Sequence, residues 1–233
     1  MAMHLITSNP KILGLALLGG IVPSLLWLWF WLHEEGQKPE PKGLLIILFI
    51  LGMTATIFVL PIQKYIQVHV SSKVWQLIGW AAAEELMKFL AVMVILYKSN
   101  QIDEATDWPI YLITAAVGFA ALENALFLLR PFALGEATVG LLTGQLRFLG
   151  STLLHTVSSG MVGVSMGLSL YMGKVVKKIY LVIGLCVAIA LHSSFNFFIM
   201  KNTGNGFLQV FAFLWVTAVI MMLLFEKLRR VDQ

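Results

Sequence analysis

Cysteine is nearly absent. Cys186 stands alone among 233 residues, so no intrachain disulfide can form, and its place inside an apolar run reads as a small core residue. Charge is scarce too: Asp, Glu, Lys and Arg make up 12% of the chain against 59% hydrophobic residues, with a mean hydropathy of +0.86. A soluble domain carries roughly 25% charged residues, so this chain cannot clothe a water-facing surface. There is no concentrated basic patch with interleaved aromatics, which excludes nucleic acid as a partner. The net charge of +4 lies mostly in short loops and the tail "EKLRRVDQ", where it suits lipid headgroups. Internal repeats and low-complexity tracts are missing. So are the zincin pattern H-E-x-x-H, a G-x-S-x-G elbow and any candidate catalytic cysteine.

Long apolar runs are what the chain has instead. Seven segments, 12–32, 43–60, 74–96, 108–129, 148–171, 179–199 and 207–225, are each long enough to cross a hydrocarbon core of about 30 Å. They lack period-two alternation, and backbone polar groups in lipid must be satisfied internally, so the expected fold is all-α: a polytopic helical membrane protein with about seven transmembrane helices, one domain over 1–233. The first run exceeds the usual h-region of a signal peptide and ends in "WLWFWL", whose tryptophans suit a membrane interface; it reads as a retained anchor. Gly163 and Gly167 form a GxxxG spacing suited to close helix packing. The stretch from Arg130 to Arg147 is apolar but broken by Gly135, Gly140 and Gly144, and reads as an interfacial or re-entrant segment able to act as a lid. Loop lysines and arginines, with Lys174, Lys177, Lys178, Lys227, Arg229 and Arg230 on one side, favour an N-terminus outside and a C-terminus in the cytoplasm.

Four of these helices carry ionisable residues away from their ends: Glu84, Glu85 and Lys88 in the third, Glu123 in the fourth, His155 in the fifth and His192 in the sixth. Glu84 follows Lys73 by 11 residues, Glu123 precedes Arg130 by seven, His155 follows Arg147 by eight, and His192 precedes Lys201 by nine. At the helical rise each lies about 10–17 Å from a boundary residue, and because the helices alternate in direction those boundaries belong to one membrane face. The groups therefore share a layer. Lys88, Ser159 and Asn196 repeat the polarity one turn after Glu84, His155 and His192, on the same helix faces. A structural ion pair or interhelical glue explains any one of them alone. Each central charge costs about 2.5–3.5 kcal/mol on the gentlest scale, so a whole layer points to function. A carboxylate base acting on water, with imidazoles and a second carboxylate positioning it or binding a metal, uses all the parts. A proton- or ion-coupled transporter would use similar groups, but no inverted repeat is visible; a non-catalytic interaction protein on a protease-like fold is the third reading.

At these residues the chain resembles a known family. "AAAEELMKFLAV" is similar to the E-E-x-x-K motif of the PrsW family of intramembrane proteases, relatives of the CAAX-type membrane endopeptidases. "GFAALENALFLL" resembles its second motif, and "LLHTVSSGMVG" and "ALHSSFNFF" resemble its two histidine segments. The resemblance implies an enzyme in a bacterial-type cell membrane that cleaves single-span or membrane-anchored proteins, anti-sigma factors being the type example. It implies Glu84 as the water-activating base, supported by Glu85 and Lys88. Glu123, His155 and His192 would hold the water or a divalent metal such as zinc, with Asn196 orienting a neighbour or donating to the oxyanion. A metal-free glutamate mechanism stays open beside the metal-assisted one.

Overall fold

The computed structural model describes residues 9–33, 38–97, 99–201 and 207–231; residues 34–37 of the first loop "HEEGQKPEPKG" lie outside the described part. The order is α1 (Pro10–Leu32), α2 (Lys42–His69), α3 (Lys73–Leu96), α4 (Asp107–Ala133), the short α5 (Ala137–Leu146), a π-helical turn (Arg147–Thr152), α6 (Leu153–Leu168), α7 (Lys174–Lys201) and α8 (Phe207–Val231). No strand occurs among the described residues. Among the described residues, five helices are long and apolar enough to cross a membrane: α1, α2, α4, α7 and α8. α3 is 24 residues long but carries Glu84, Glu85 and Lys88. α6 has 16 residues, prolonged upstream by the π turn and α5 into one unbroken helical run.

α4 is the axis of the bundle, with α1, α2, α3 and α6 packed around it. Its stretch from Ile110 to Ala121 is buried on every side, and small residues there let neighbouring backbones come close. Where α2 crosses α4, a Cβ on Gly52 would collide with the Ala115 carbonyl, and one on Gly118 with the Phe49 carbonyl. Two glycines, one per helix, thus set the crossing distance, and Thr56 Oγ1 donates to the Phe119 carbonyl at 3.1 Å beside it. Gly163 and Gly167 close α6 onto Pro109 and Ala105 at the start of α4, so the GxxxG spacing does mark a tight contact.

Three readings gain detail in three dimensions. Trp27 and Trp31 turn inward, Trp27 onto Phe148 and Trp215 and Trp31 onto Phe225, and only Trp29 points outward. Trp27 Nε1 also donates to the Phe148 carbonyl at 2.9 Å, so these rings serve packing between α1, the π turn and α8. Cys186 is exposed on the outer side of α7 and is not a core residue. The broken segment after Arg130 is mostly helical. α4 runs on to Ala133, Gly135 takes the left-handed conformation at φ +75° to turn the chain, and α5 follows with only Gly140 buried.

α3 is inverted relative to a helix in water. Leu86, Leu90 and Val94 face outward, whereas Glu84, Glu85 and Lys88 are buried, Lys88 completely. This arrangement is stable only where the outside is apolar and the inside supplies polar partners.

Candidate active site

The partners come from five elements. α2 brings Gln63, α4 brings Glu123 and Asn124, the π turn brings Arg147, Ser151 and Thr152, α6 brings His155 and Ser159, and α7 brings His192 and Asn196. They form two tiers around α3.

Glu85 anchors the inner tier. Its Oε1 accepts from Lys88 Nζ at 2.6 Å and from His192 Nδ1 at 2.7 Å, and its Oε2 accepts from Ser159 Oγ at 2.8 Å. With three donors and no exposure, this carboxylate is buried and held in place. Lys88 Nζ also donates to His155 Nδ1 at 3.0 Å. An ammonium only donates, so His155 Nδ1 is the acceptor and its proton sits on Nε2. That Nε2–H donates to Glu123 Oε2 at 3.1 Å. The same logic puts the His192 proton on Nδ1, against Glu85, and leaves Nε2 with a free lone pair.

The outer tier lines a cavity of about 720 Å³ whose walls include Glu84, Glu123, Arg147, His155, His192 and Asn196. The two oxygens of Glu84 differ sharply. Oε1 accepts from Gln63 Nε2 at 2.7 Å. Oε2 is buried without a hydrogen-bond partner, 3.5 Å from His192 Nε2 and 3.9 Å from His155 Nδ1. Three Lewis-basic atoms thus converge on one point.

Among the described residues, Glu84, His155 and His192 form a group whose ligand atoms all lie within 4.8 Å of one another. Glu123, expected with the histidines, is instead turned to Arg147 and to the far nitrogen of His155. The trio fits a divalent cation on two counts. Glu84 Oε2 is an orphaned buried acceptor, and each histidine has a carboxylate on its other nitrogen, Glu123 for His155 and Glu85 for His192, as ligating histidines do. Lys88 occupies the His155 Nδ1 lone pair, so ammonium and metal compete for that atom.

Gln63, Arg147 and Ser151 were not legible as site residues, and Asn124, next to Glu123 but about 100° away around the helix, could be expected only to brush the cavity. Arg147, a mere boundary marker in the sequence, donates from Nε to Asn124 Oδ1 at 2.6 Å and from Nη2 to Glu123 and to Ser151 Oγ at 2.9 Å, with its guanidinium 3.8 Å from the Phe127 ring centre. The signal was the row Arg147, Ser151, His155, Ser159, four residues apart; it becomes visible once the helix is extended upstream. The π turn, of a kind that recurs at functional sites, carries Arg147 and Ser151 into the site. Arg147→Lys keeps the charge but loses the planar fork. We expect about a tenfold loss of activity with normal membrane insertion, measured by cleavage at matched protein levels; unchanged activity would show that Glu123 needs no fork to hold it.

Comparison with known proteins bears on the family to which the chain belongs. The family model described as "PrsW family intramembrane metalloprotease" matches residues 40–225, which contain every group named above. The chain is 29% identical over 216 residues to "Protease PrsW" of Oceanobacillus iheyensis, covering 86% of this chain and 91% of that protein. It is 24% identical over 215 residues to "Protease PrsW" of Shouchella clausii (87% and 93%) and 24% identical over 201 residues to that of Bacillus subtilis (84% and 88%). No solved structure matches. A match that runs through all the site-bearing helices, at nearly full length in the relatives, leaves no second assignment: the chain belongs to the PrsW family of intramembrane metalloproteases and is a membrane-embedded peptidase.

Proposed function

We propose that the enzyme hydrolyses peptide bonds of single-span or membrane-anchored proteins, with a water activated by Glu84 Oε2. The observation that carries this is the unpartnered Glu84 Oε2 at the wall of a mainly apolar cavity, opposed by the free His192 Nε2. A water set between these acceptors gives one proton to each direction and keeps a lone pair for a carbonyl carbon. Glu84 takes the proton as the bond to carbon forms and passes it to the leaving amine. Glu85 and Lys88 hold His192 and His155 in their tautomers. Glu123, clamped by Arg147, holds His155 from the other side. Asn196, one turn beyond His192 on the cavity wall, is the donor for the developing oxyanion. A divalent cation such as zinc, held by Glu84, His155 and His192, would supply Lewis acidity to the water and carbonyl, with Glu84 Oε2 then serving as its ligand in place of the free base.

The fold in lipid has seven spans on this reading, α3 crossing with its charges turned inward and α6 crossing with help from the π turn. The N-terminus is outside and the C-terminus cytoplasmic. The test is cleavage of a single-span reporter by purified protein in liposomes, alongside element-specific X-ray fluorescence on the same unsoaked sample. Cleavage at or near the span is expected. A folded protein that cuts soluble peptides but no membrane-anchored reporter would overturn the substrate class. Full activity without a metal signal selects the metal-free glutamate mechanism, and a stoichiometric signal lost in Glu84→Gln selects the metal-assisted one.

A further inference from the structure

Gln63 stands where a substitution is easy to overlook, two residues after Pro61 in the last turns of α2. Residues around it, Ile62 and Tyr65, face outward. Gln63 instead reaches across to α3 with both ends of its structure. Its side-chain Nε2 donates to Glu84 Oε1 at 2.7 Å, and its backbone carbonyl accepts from Trp80 Nε1 at 3.0 Å. Trp80 lies one turn before Glu84 on α3, so the tryptophan grips the backbone of the residue whose side chain grips the carboxylate. The loop is closed over two helices. Without such a clamp the Glu84 carboxylate is free to rotate, because a terminal carboxyl torsion is broad and its two oxygens are chemically equivalent.

From this geometry we infer that Gln63, fixed by Trp80, is the positioning residue that makes Glu84 Oε2 the reacting oxygen by engaging Oε1. Gln63 is the donor that Oε1 meets outside α3 itself, and it leaves the second oxygen unpartnered and aimed at His192 Nε2. The carboxylate is thereby pre-oriented, and its basic lone pair lies toward the cavity before substrate arrives. The inference deepens the proposed function, since it rests on Glu84 acting as the base.

The experiment measures kcat and KM for the single-span reporter with full-length variants in liposomes. Gln63→Leu removes the donor at similar bulk, and kcat should fall about tenfold or more while KM stays within about threefold, because only the orientation of the base is lost. In a Glu84→Asp background, whose shorter carboxylate has already left the clamp, the same substitution should cost less than about threefold. Trp80→Phe keeps the ring and removes the anchor; it should show the same kcat-only pattern at smaller size, and it carries the test should Gln63→Leu fail to fold. Near-normal kcat in a folded Gln63→Leu, a loss residing in KM, or an equal loss in the Glu84→Asp background would overturn the inference. Glu84→Gln run in parallel separates the two levels. If it turns over normally the base assignment itself fails, whereas an inert Glu84→Gln beside a normal Gln63→Leu sinks the clamp alone.

Discussion

Glu84→Gln is expected to lower turnover at least about 10²-fold while the protein inserts normally and unfolds at the same temperature or higher. The two halves of this expectation have one cause. Glu84 Oε2 is a buried acceptor with no donor, facing two further acceptor atoms, His192 Nε2 at 3.5 Å and His155 Nδ1 at 3.9 Å. Such an arrangement is unfavourable for the folded protein and useful for taking a proton. An amide at this position keeps the Gln63 bond through its oxygen and turns an NH₂ toward the free lone pair of His192 Nε2, so the unmet acceptor becomes a met donor. It cannot take a proton from water. Activity is lost and stability held or gained, the exchange seen where a site is kept strained for function. Thermal unfolding in detergent and reporter cleavage on one preparation check both halves. Turnover within a few-fold of wild type would refute Glu84 as the base, and a clear fall in unfolding temperature would refute the reading of Oε2 as an orphan.

Lys88→Met should act in the opposite way, on stability first. Lys88 is fully buried, and its ammonium binds Glu85 Oε1 at 2.6 Å and His155 Nδ1 at 3.0 Å. Its hydrogen-bonded partners are therefore Glu85 and His155, and it makes no hydrogen bond to Glu84. Removing it leaves the Glu85 carboxylate buried without its cation, which typically costs about 3–5 kcal/mol. His192 Nδ1 and Ser159 Oγ still donate to Glu85, which argues for the lower end of that range. The double variant Glu85→Gln/Lys88→Met removes both charges and should recover most of the stability but not the activity, because His192 and His155 lose the groups that set their tautomers. Unfolding of the single and double variants under one detergent condition decides the matter. A single variant as stable as wild type would show that the pair is not jointly buried, and a double variant no better than the single one would show that Lys88 serves packing. A third outcome bears on the metal. With the ammonium gone from His155 Nδ1, a folded Lys88→Met should take up at least as much metal as wild type if a cation belongs there.

Much of this was legible in the chain. Spans follow from local hydropathy, and depth follows from the fixed helical rise, so Glu84, Glu123, His155 and His192 could be put in one layer by counting residues from boundary cations. The structure brings these four side chains to one cavity. The motif resemblance added the family and with it the peptidase. Other expectations depended on rotation about a helix axis, and there the sequence is mute. Which way Trp27 and Trp31 turn could not be read, and they pack inward; Cys186 was assigned to the core but faces out. Arg147 looked like the edge of a span, because a π turn cannot be read from composition.

Residence in a membrane, the helical class, the common depth of the polar groups and membership of a peptidase family were determined by the sequence itself, since each is a property of local composition or of spacing along one axis. Tertiary packing decided which groups meet. Glu84 and Glu85 are adjacent, so they differ by about 100° around α3, and only the neighbours α2, α6 and α7 determine that one looks into the cavity and the other into three donors. The same packing put Glu84 rather than Glu123 beside both histidines and gave Glu123 to Arg147. It also brought Gln63 to a carboxylate 21 residues away. Such pairings are long-range and directional, and they are settled only when the small residues of α4 let the surrounding helices close.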